Sequence, residues 1–525
     1  MLRWFLLAFA SAASALPAQL VVATAQYDNS RTGANLLETK LTPDNVSSGR
    51  FGKSFVMPVT GNVNAQPLYV PGLDVAGKGV HDVVFVATEH DNIYAFDAAG
   101  QPAEPLWRVH LADPEKGINP VDSHFLACSF ISPEAGITPT PVIDPATRTM
   151  YALVRTFENP PGTQGHYVQR LHAIDIATGL ERTGSPVRIH AAMKGSAFFG
   201  LSQRDVEFDP QVENPRAALL LSGGQVYIAW GSSCDHGSYY GWVMAYDAHT
   251  LRQRAVFNTA PDAGESAIWQ GGAGLAADDE GNVYGVTGNG SFNASSKGGR
   301  NYGDSVLKLG LRDSALAVLD FFTPSTQMRM NWTDQDLGST GPLLLPDQPG
   351  PHRHLMAAAG KNGVIYLIDR DRMGKYQFSS DSHAVQTVET PSSLYGAAAY
   401  WNGHLYYFGS DNVLCEFALT NGRLSPEPVR RGTQRFRNPG AIPVISANGV
   451  RNGIVWAVRT KTAAEHDVEG VLQAYDASDV SHLLYNTEGT KDHPGLSLRL
   501  TMPMIANGRV YVASHDAVSV YSLRN

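Results

Sequence analysis

Cysteine is almost absent from this chain, with three in 525 residues, at positions 128, 234 and 415. That excludes a disulfide scaffold, in which crosslinks replace a core, and the odd number leaves at least one thiol unpaired within the chain. Charge is sparse as well. Only 17% of residues are charged, and the formal net charge of −9 is spread without a basic block. Nucleic acid and anionic membrane surfaces are therefore poor candidate partners. Beyond the first residues, no apolar run approaches the roughly 20 residues of a membrane-spanning helix. The 17 histidines show no metal-ligand spacing; His124 near Cys128 and His236 near Cys234 do not make a zinc arrangement. There is no serine-hydrolase elbow and no Gly-rich phosphate loop. A carboxylate pair for sugar hydrolysis stays open, because the chain offers many acids and sequence gives no geometry.

What the chain has in quantity is apolar residues (43%) with 51 Gly and 31 Pro, a globular composition long enough to bury a large core. Arg3, the apolar stretch Trp4 to Ala13 and the small residues Ala13-Ser14-Ala15 form the pattern of a secretory signal, with cleavage after Ala15 or Ala18. Residues 1–18 are accordingly expected to be a signal peptide, and residues 19–525 an exported chain, secreted or periplasmic.

One pattern recurs along the mature chain. An apolar strand is followed by a turn and by a second apolar strand that ends in Asp. The clearest copies pair Val83-Val84-Phe85-Val86-Ala87 with Asn92-Ile93-Tyr94-Ala95-Phe96-Asp97, and Met150 to Val154 with Leu171-His172-Ala173-Ile174-Asp175. Val226 to Trp230 with Val243-Met244-Ala245-Tyr246-Asp247 is a third, further copies end at Asp369 and Asp476, and degenerate ones pass through Leu307-Lys308, Glu416-Phe417 and Val520-Tyr521. Alternating apolar positions, β-branched and aromatic residues, and Gly/Asn/Asp punctuation predict strands. The terminal Asp suits a tight turn whose carboxylate caps backbone N–H groups.

The copies recur about every 60 residues, longer than common propeller blades. Polar insertions account for the excess, among them 113–133, 193–214, 291–303 and 324–340. Small-residue inner strands precede the copies, as at 137–143, 272–276, 341–345, 397–399 and 443–446, and suit a crowded central axis. The last copy, 502–523, has three strands, while Phe51–Pro58 resembles a fourth. Their pairing would close a ring and remove an exposed edge. The expectation is an all-β chain: one eight-bladed β-propeller of four-stranded antiparallel blades over residues 19–525, closed by its N-terminal strand on the C-terminal blade. A parallel β-helix, with its shorter and more uniform period, fits poorly.

The blades resemble the pyrroloquinoline-quinone (PQQ) propeller repeat of the quinoprotein alcohol dehydrogenase-like superfamily, as a divergent member. That group includes catalytic dehydrogenases and non-catalytic outer-membrane assembly propellers. The hallmark Trp after the turn is clear only at Trp107. Val286-Thr287-Gly288-Asn289-Gly290-Ser291 is similar to the segment whose Asn holds Ca²⁺ beside PQQ, and Tyr302-Gly303-Asp304 to the one carrying the catalytic Asp. Lys361-Asn362-Gly363 through Asp369-Arg370 is similar to the signature whose basic residue touches the quinone. Gly231–Asp247 resembles the blade that supplies an acidic Ca²⁺ ligand, where the nearest acid is Asp235.

The resemblance implies PQQ and calcium as cofactors, Asp235, Asn289 and Asp304 at the metal, Asn289, Lys361 and Trp269 at the quinone, and Asp304 as general base. Ca²⁺ would polarise the quinone carbonyl, and Lys361 would stabilise negative charge there. Three departures stand beside it. The vicinal Cys pair of the dehydrogenases is replaced by Leu126-Ala127-Cys128-Ser129. The stacking Trp would fall near Ala273 or Gly274, with Trp269 a few residues away. No haem-attachment motif is present, so electrons would need an external acceptor. Cys128 and Cys234 lie in loops expected over the same face of neighbouring blades, a candidate disulfide whose formation depends on geometry. Cys415 reads as a buried small hydrophobe. Plain turn and surface roles compete at Asn289, Lys361 and Asp235. The expected partner is a small alcohol or sugar substrate; the alternative is a non-catalytic, exported propeller that binds protein or glycan through its top face. A monomer is expected in either case.

Overall fold

Apolar alternation and Asp-ended turns repeat along the chain as eight sheets, each with three or four consecutive strands in antiparallel order. The protein is described here from a computed structural model, covering residues 19–47, 49–126, 128, 130–196, 204–460, 462, 465 and 468–524. The expected signal peptide lies outside these residues. The first blade is built from Leu68–Val75, Gly79–Ala87, Asn92–Asp97 and Trp107–His110. Blades two to seven follow at 142–188, 220–258, 276–323, 343–389, 399–431 and 444–486. The eighth combines Met504–Ala506, Arg509–Ala513 and Ala517–Leu523 with Phe51–Pro58. Phe51 pairs with Leu523, and Pro58 with Ala517, so the N-terminal strand completes the C-terminal blade. Among the described residues, no helix is long and apolar enough to cross a membrane.

The core is divided among the interfaces between blades. One apolar cluster joins blades two and three through Leu153, Leu171, Ile228 and Trp242. Another joins four and five through Tyr284, Phe322, Met356 and Tyr366, and a third joins seven and eight through Trp456, Leu472, Val510 and Tyr521. A middle strand therefore buries both faces, which is why Val83–Ala87 and Leu355–Ala359 are continuous apolar runs. The Asp after the third strand caps the turn as its sequence implies: Asp247 Oδ1 accepts the N–H groups of His249 and Thr250.

The segment 22–33 crosses one end of the axis and ties the blades together. Val22 N–H donates to Tyr69 in blade one, and the amides of Ile143, Ala277, Leu344, Tyr400 and Ile445 donate to the carbonyls of Ala23, Asn29, Ser30, Thr32 and Gly33. Asn29 Nδ2 reaches Leu221 O in blade three, and Ile505 N–H in blade eight donates to the Tyr27 hydroxyl. Arg31 is fully buried at this hub. It donates to Leu275 O at 2.8 Å, Ala25 O at 2.7 Å and Thr24 Oγ1 at 2.8 Å.

Candidate functional site

Residues of the loops that precede the inner strands, and of those joining the second and third strands, gather at the other end of the axis around a cavity of about 320 Å³. Its wall draws on loops of blades two to eight: Phe130 and Ile131, Arg216, Asp235, Trp269, Asp334 and Asp336, Lys361, Tyr395, and Arg499. Cys128 and Cys234, also in this wall, are disulfide-bonded with their Cα atoms 5.5 Å apart. The bond joins the loop entering blade two to a loop of blade three. Cys415 is free and buried, and burial pushes its thiol pKa up.

Lys361 opens the turn between Leu355–Ala359 and Val364–Asp369 of blade five, a turn made tight by Gly363 at φ 71°. Its Nζ lies 2.6 Å from Asp336 Oδ2 and 2.9 Å from Asp334 Oδ1. Its backbone N–H also donates to Asp336 O, and Ser393 Oγ holds its carbonyl. Burial disfavours the ammonium, but the two carboxylates overcome it and hold the Lys361 pKa above the usual lysine range.

Asn289 joins the same network from blade four. Its N–H donates to Asp336 Oδ1 at 2.7 Å and its Nδ2 to Asp334 Oδ1 at 2.8 Å. Its Oδ1 is buried without a hydrogen-bond partner. Gly288 makes this approach possible, since a Cβ there would sit 2.1 Å from Asp336 Oδ1 and 2.8 Å from the Trp269 ring.

Asp304 stands behind this layer. It is fully buried in a left-handed conformation (φ 46°) and does not line the cavity. Its Oδ1 accepts Leu337 N–H at 3.0 Å, one residue beyond Asp336, and Gln327 Nε2 approaches its Oδ2. Burial, then the charge of Asp336, raises its pKa well above the carboxylate range. The segment 334–337 thus brings Asn289, Lys361 and Asp304 together, but only its own acids and Lys361 face the cavity.

Asp235 lines the cavity from blade three. Its Oδ1 accepts the Tyr239 hydroxyl at 2.8 Å, and its N–H donates to Ser232 Oγ. Burial raises its pKa. Trp269 also lines the cavity, with its ring close against Gly231 and Gly288 and its centroid 6.1 Å from that of Tyr239. Ala273 and Gly274, where the stacking Trp was expected, carry no ring. Among the described residues, no group of three His, Cys, Asp or Glu side chains is gathered as a metal site.

Sequence reading missed Asp334 and Asp336, which sit in the insertion 324–340, and Arg216 and Arg499, which stand singly ahead of inner strands. The usable signal was positional: residues immediately before an inner strand point to the axis.

No protein-family model matches the chain, and no curated protein matches it in sequence. Solved structures match it in fold. A quinohemoprotein alcohol dehydrogenase of Pseudomonas putida HK5 aligns with a TM-score of 0.59 at 15% identity, over 96% of this chain and 80% of its own. A europium-containing methanol dehydrogenase aligns with a TM-score of 0.58 at 11% identity, over 96% and 98%. The likeness is one of fold: the chain shares the propeller architecture of these two proteins.

Proposed function

We propose that this exported propeller is a dehydrogenase of small alcohols or sugars that uses PQQ and Ca²⁺ in its axial cavity. The observation that carries this reading is the Lys361–Asp336–Asp334–Asn289 network at the wall of a disulfide-bridged cavity, in a fold shared with quinoprotein alcohol dehydrogenases. The donor set suits the cofactors. Asp235 offers a hard oxygen donor at the cavity wall, and Asn289 Oδ1, behind that wall, is buried and unpartnered and would need to turn inward to join it, leaving further ligands to the quinone's own oxygens. When bound, PQQ accepts two electrons from the substrate and Ca²⁺ strengthens its electrophilic carbonyl.

In this reading the proton-accepting role expected of Asp304 passes to Asp336, because Asp304 does not reach the cavity. Asp336 takes the substrate hydroxyl proton, and Lys361, with its Nζ 2.6 Å from Asp336 Oδ2, holds that carboxylate in place. Asp304 instead fixes the 336–337 backbone through Leu337 N–H. A second reading, a non-catalytic binding propeller, is favoured by one observation: Lys361 already neutralises both cavity acids of blade five.

Reconstitution with PQQ and Ca²⁺ separates the two. The dehydrogenase reading expects a saturable absorbance change, a raised melting temperature and dye-linked oxidation of members of an alcohol and aldose panel. Absence of cofactor binding by both absorbance and thermal shift contradicts it.

A further inference from the structure

We propose that Arg216 and Arg499 form the receptor for a carboxylate on the small molecule that occupies the axial cavity. This rests on the reading of that cavity as a ligand site, not on the redox chemistry. Both arginines line the main cavity and the smaller void of about 40 Å³ beside it, under Phe130 and Ile131. Arg499 stacks its guanidinium on the Phe130 ring, 4.6 Å from the centroid. Stacking uses the guanidinium face and leaves its N–H edge for a planar oxyanion. Its Nη1 is buried with no hydrogen-bond partner.

The charges around the pair make the case stronger. The cavity holds three carboxylates, but Lys361 engages Asp334 and Asp336, and Asp235 is bonded to Tyr239. Among the described residues, neither Arg216 nor Arg499 has a carboxylate within ion-pair distance. The fully buried guanidinium of Arg31, by contrast, is provided for by three backbone carbonyls and Thr24. Two like charges facing one space repel. Burial, then the charge of Arg499, lowers the Arg216 pKa to about 10. A carboxylate between the two forks would relieve both costs with charge-assisted hydrogen bonds. Asn214, whose buried Oδ1 also lacks a partner, lines the same region and can accept from a ligand hydroxyl.

The same cavity is also lined by Asp235, Asp334 and Asp336, and a second negative charge beside them would be repelled. The fitting ligand therefore carries one carboxylate, for the arginines, and hydroxyl or carbonyl groups for the acids. The cavity volume lies near the low end for small-molecule sites. Two sources supply such a carboxylate: a hydroxy-acid substrate, such as a sugar acid, or the acid groups of the quinone itself.

Calorimetric titration of the mature chain tests this with three probes: D-gluconate, its neutral counterpart D-glucose, and PQQ with Ca²⁺. Arg216→Gln and Arg499→Gln are compared with the parent, and Arg216→Lys keeps the charge as a control; near-UV circular dichroism verifies folding. Binding of gluconate but not glucose, weakened roughly tenfold or more by each Gln substitution and less by Lys, supports the proposal with an acid substrate as source. The same loss confined to PQQ supports it with the cofactor as source. If no carboxylate probe binds, or the folded Gln variants bind as tightly as the parent, the proposal is overturned. Gluconate binding without any PQQ binding would end the dehydrogenase reading and leave this one standing. PQQ binding and turnover that ignore both substitutions would do the reverse.

Discussion

Lys361 places its Nζ 2.6 Å from Asp336 Oδ2, and through that contact two loops of blade five become one charged wall. Lys361→Met leaves Asp336, only 7% exposed at its side chain, without its cation. The expected cost is about 1–3 kcal/mol of stability, with loss of any turnover. Urea unfolding measures the first, and Lys361→Arg should restore most of it. An unchanged midpoint would show that the pair contributes nothing.

Glu89 is a second buried acid, enclosed by Gly136 N–H, Thr138 Oγ1 and Asn64 Nδ2. Burial pushes its pKa up to about 7 against those bonds. An unfolded glutamate titrates near 4.3, so between these values the folded chain holds a proton that the unfolded chain has lost. Stability therefore falls as pH rises from about 4.5 to 7. Glu89→Gln should flatten that slope and gain on the order of 1–3 kcal/mol relative to the parent at pH 7. Denaturant midpoints at pH 5 and pH 7 for both proteins decide it. Parallel slopes would contradict the assignment.

The Cys128–Cys234 bond closes a loop of 106 residues. Cys128→Ser with Cys234→Ser should cost about 2–4 kcal/mol, through a less constrained unfolded chain. In the native protein, Cys415 should resist a thiol reagent that reacts after denaturation, because it is buried in its strand. Rapid native labelling would contradict its placement.

Arg31 holds the axial hub. Arg31→Met would orphan the carbonyls of Ala25 and Leu275 in a region closed to solvent. The expected loss is about 3–5 kcal/mol, enough to compromise expression. Proteolysis of the 22–33 segment should then precede global unfolding. A variant with parental stability would show that the blades close without the hub.

Much of the fold was legible because period-two apolar runs, Asp-ended turns and a spare N-terminal strand all carry side-chain signatures. Phe51–Pro58 was readable as the missing strand of blade eight for that reason. The hub was not. Its bonds run mostly from backbone to backbone, and Ser30-Arg31-Thr32 looks like surface sequence. The site was legible in part. Asn289 and Lys361 stood in recognisable turns, whereas Asp334 and Asp336 lay in an insertion without periodicity. Nor could the left-handed backbone at Asp304, which turns its carboxylate toward Leu337, be read from Tyr302-Gly303-Asp304.

The most direct measurement compares Asp336→Asn and Asp304→Asn after titration with PQQ and Ca²⁺, reading cofactor absorbance and dye-linked turnover together. If Asp336 is the acid that meets the substrate, Asp336→Asn binds PQQ and loses turnover by roughly a hundredfold or more. Asp304→Asn should keep measurable turnover with a lowered melting temperature. Full turnover in Asp336→Asn, or no PQQ-dependent absorbance change in the parent, would contradict the assignment of this cavity.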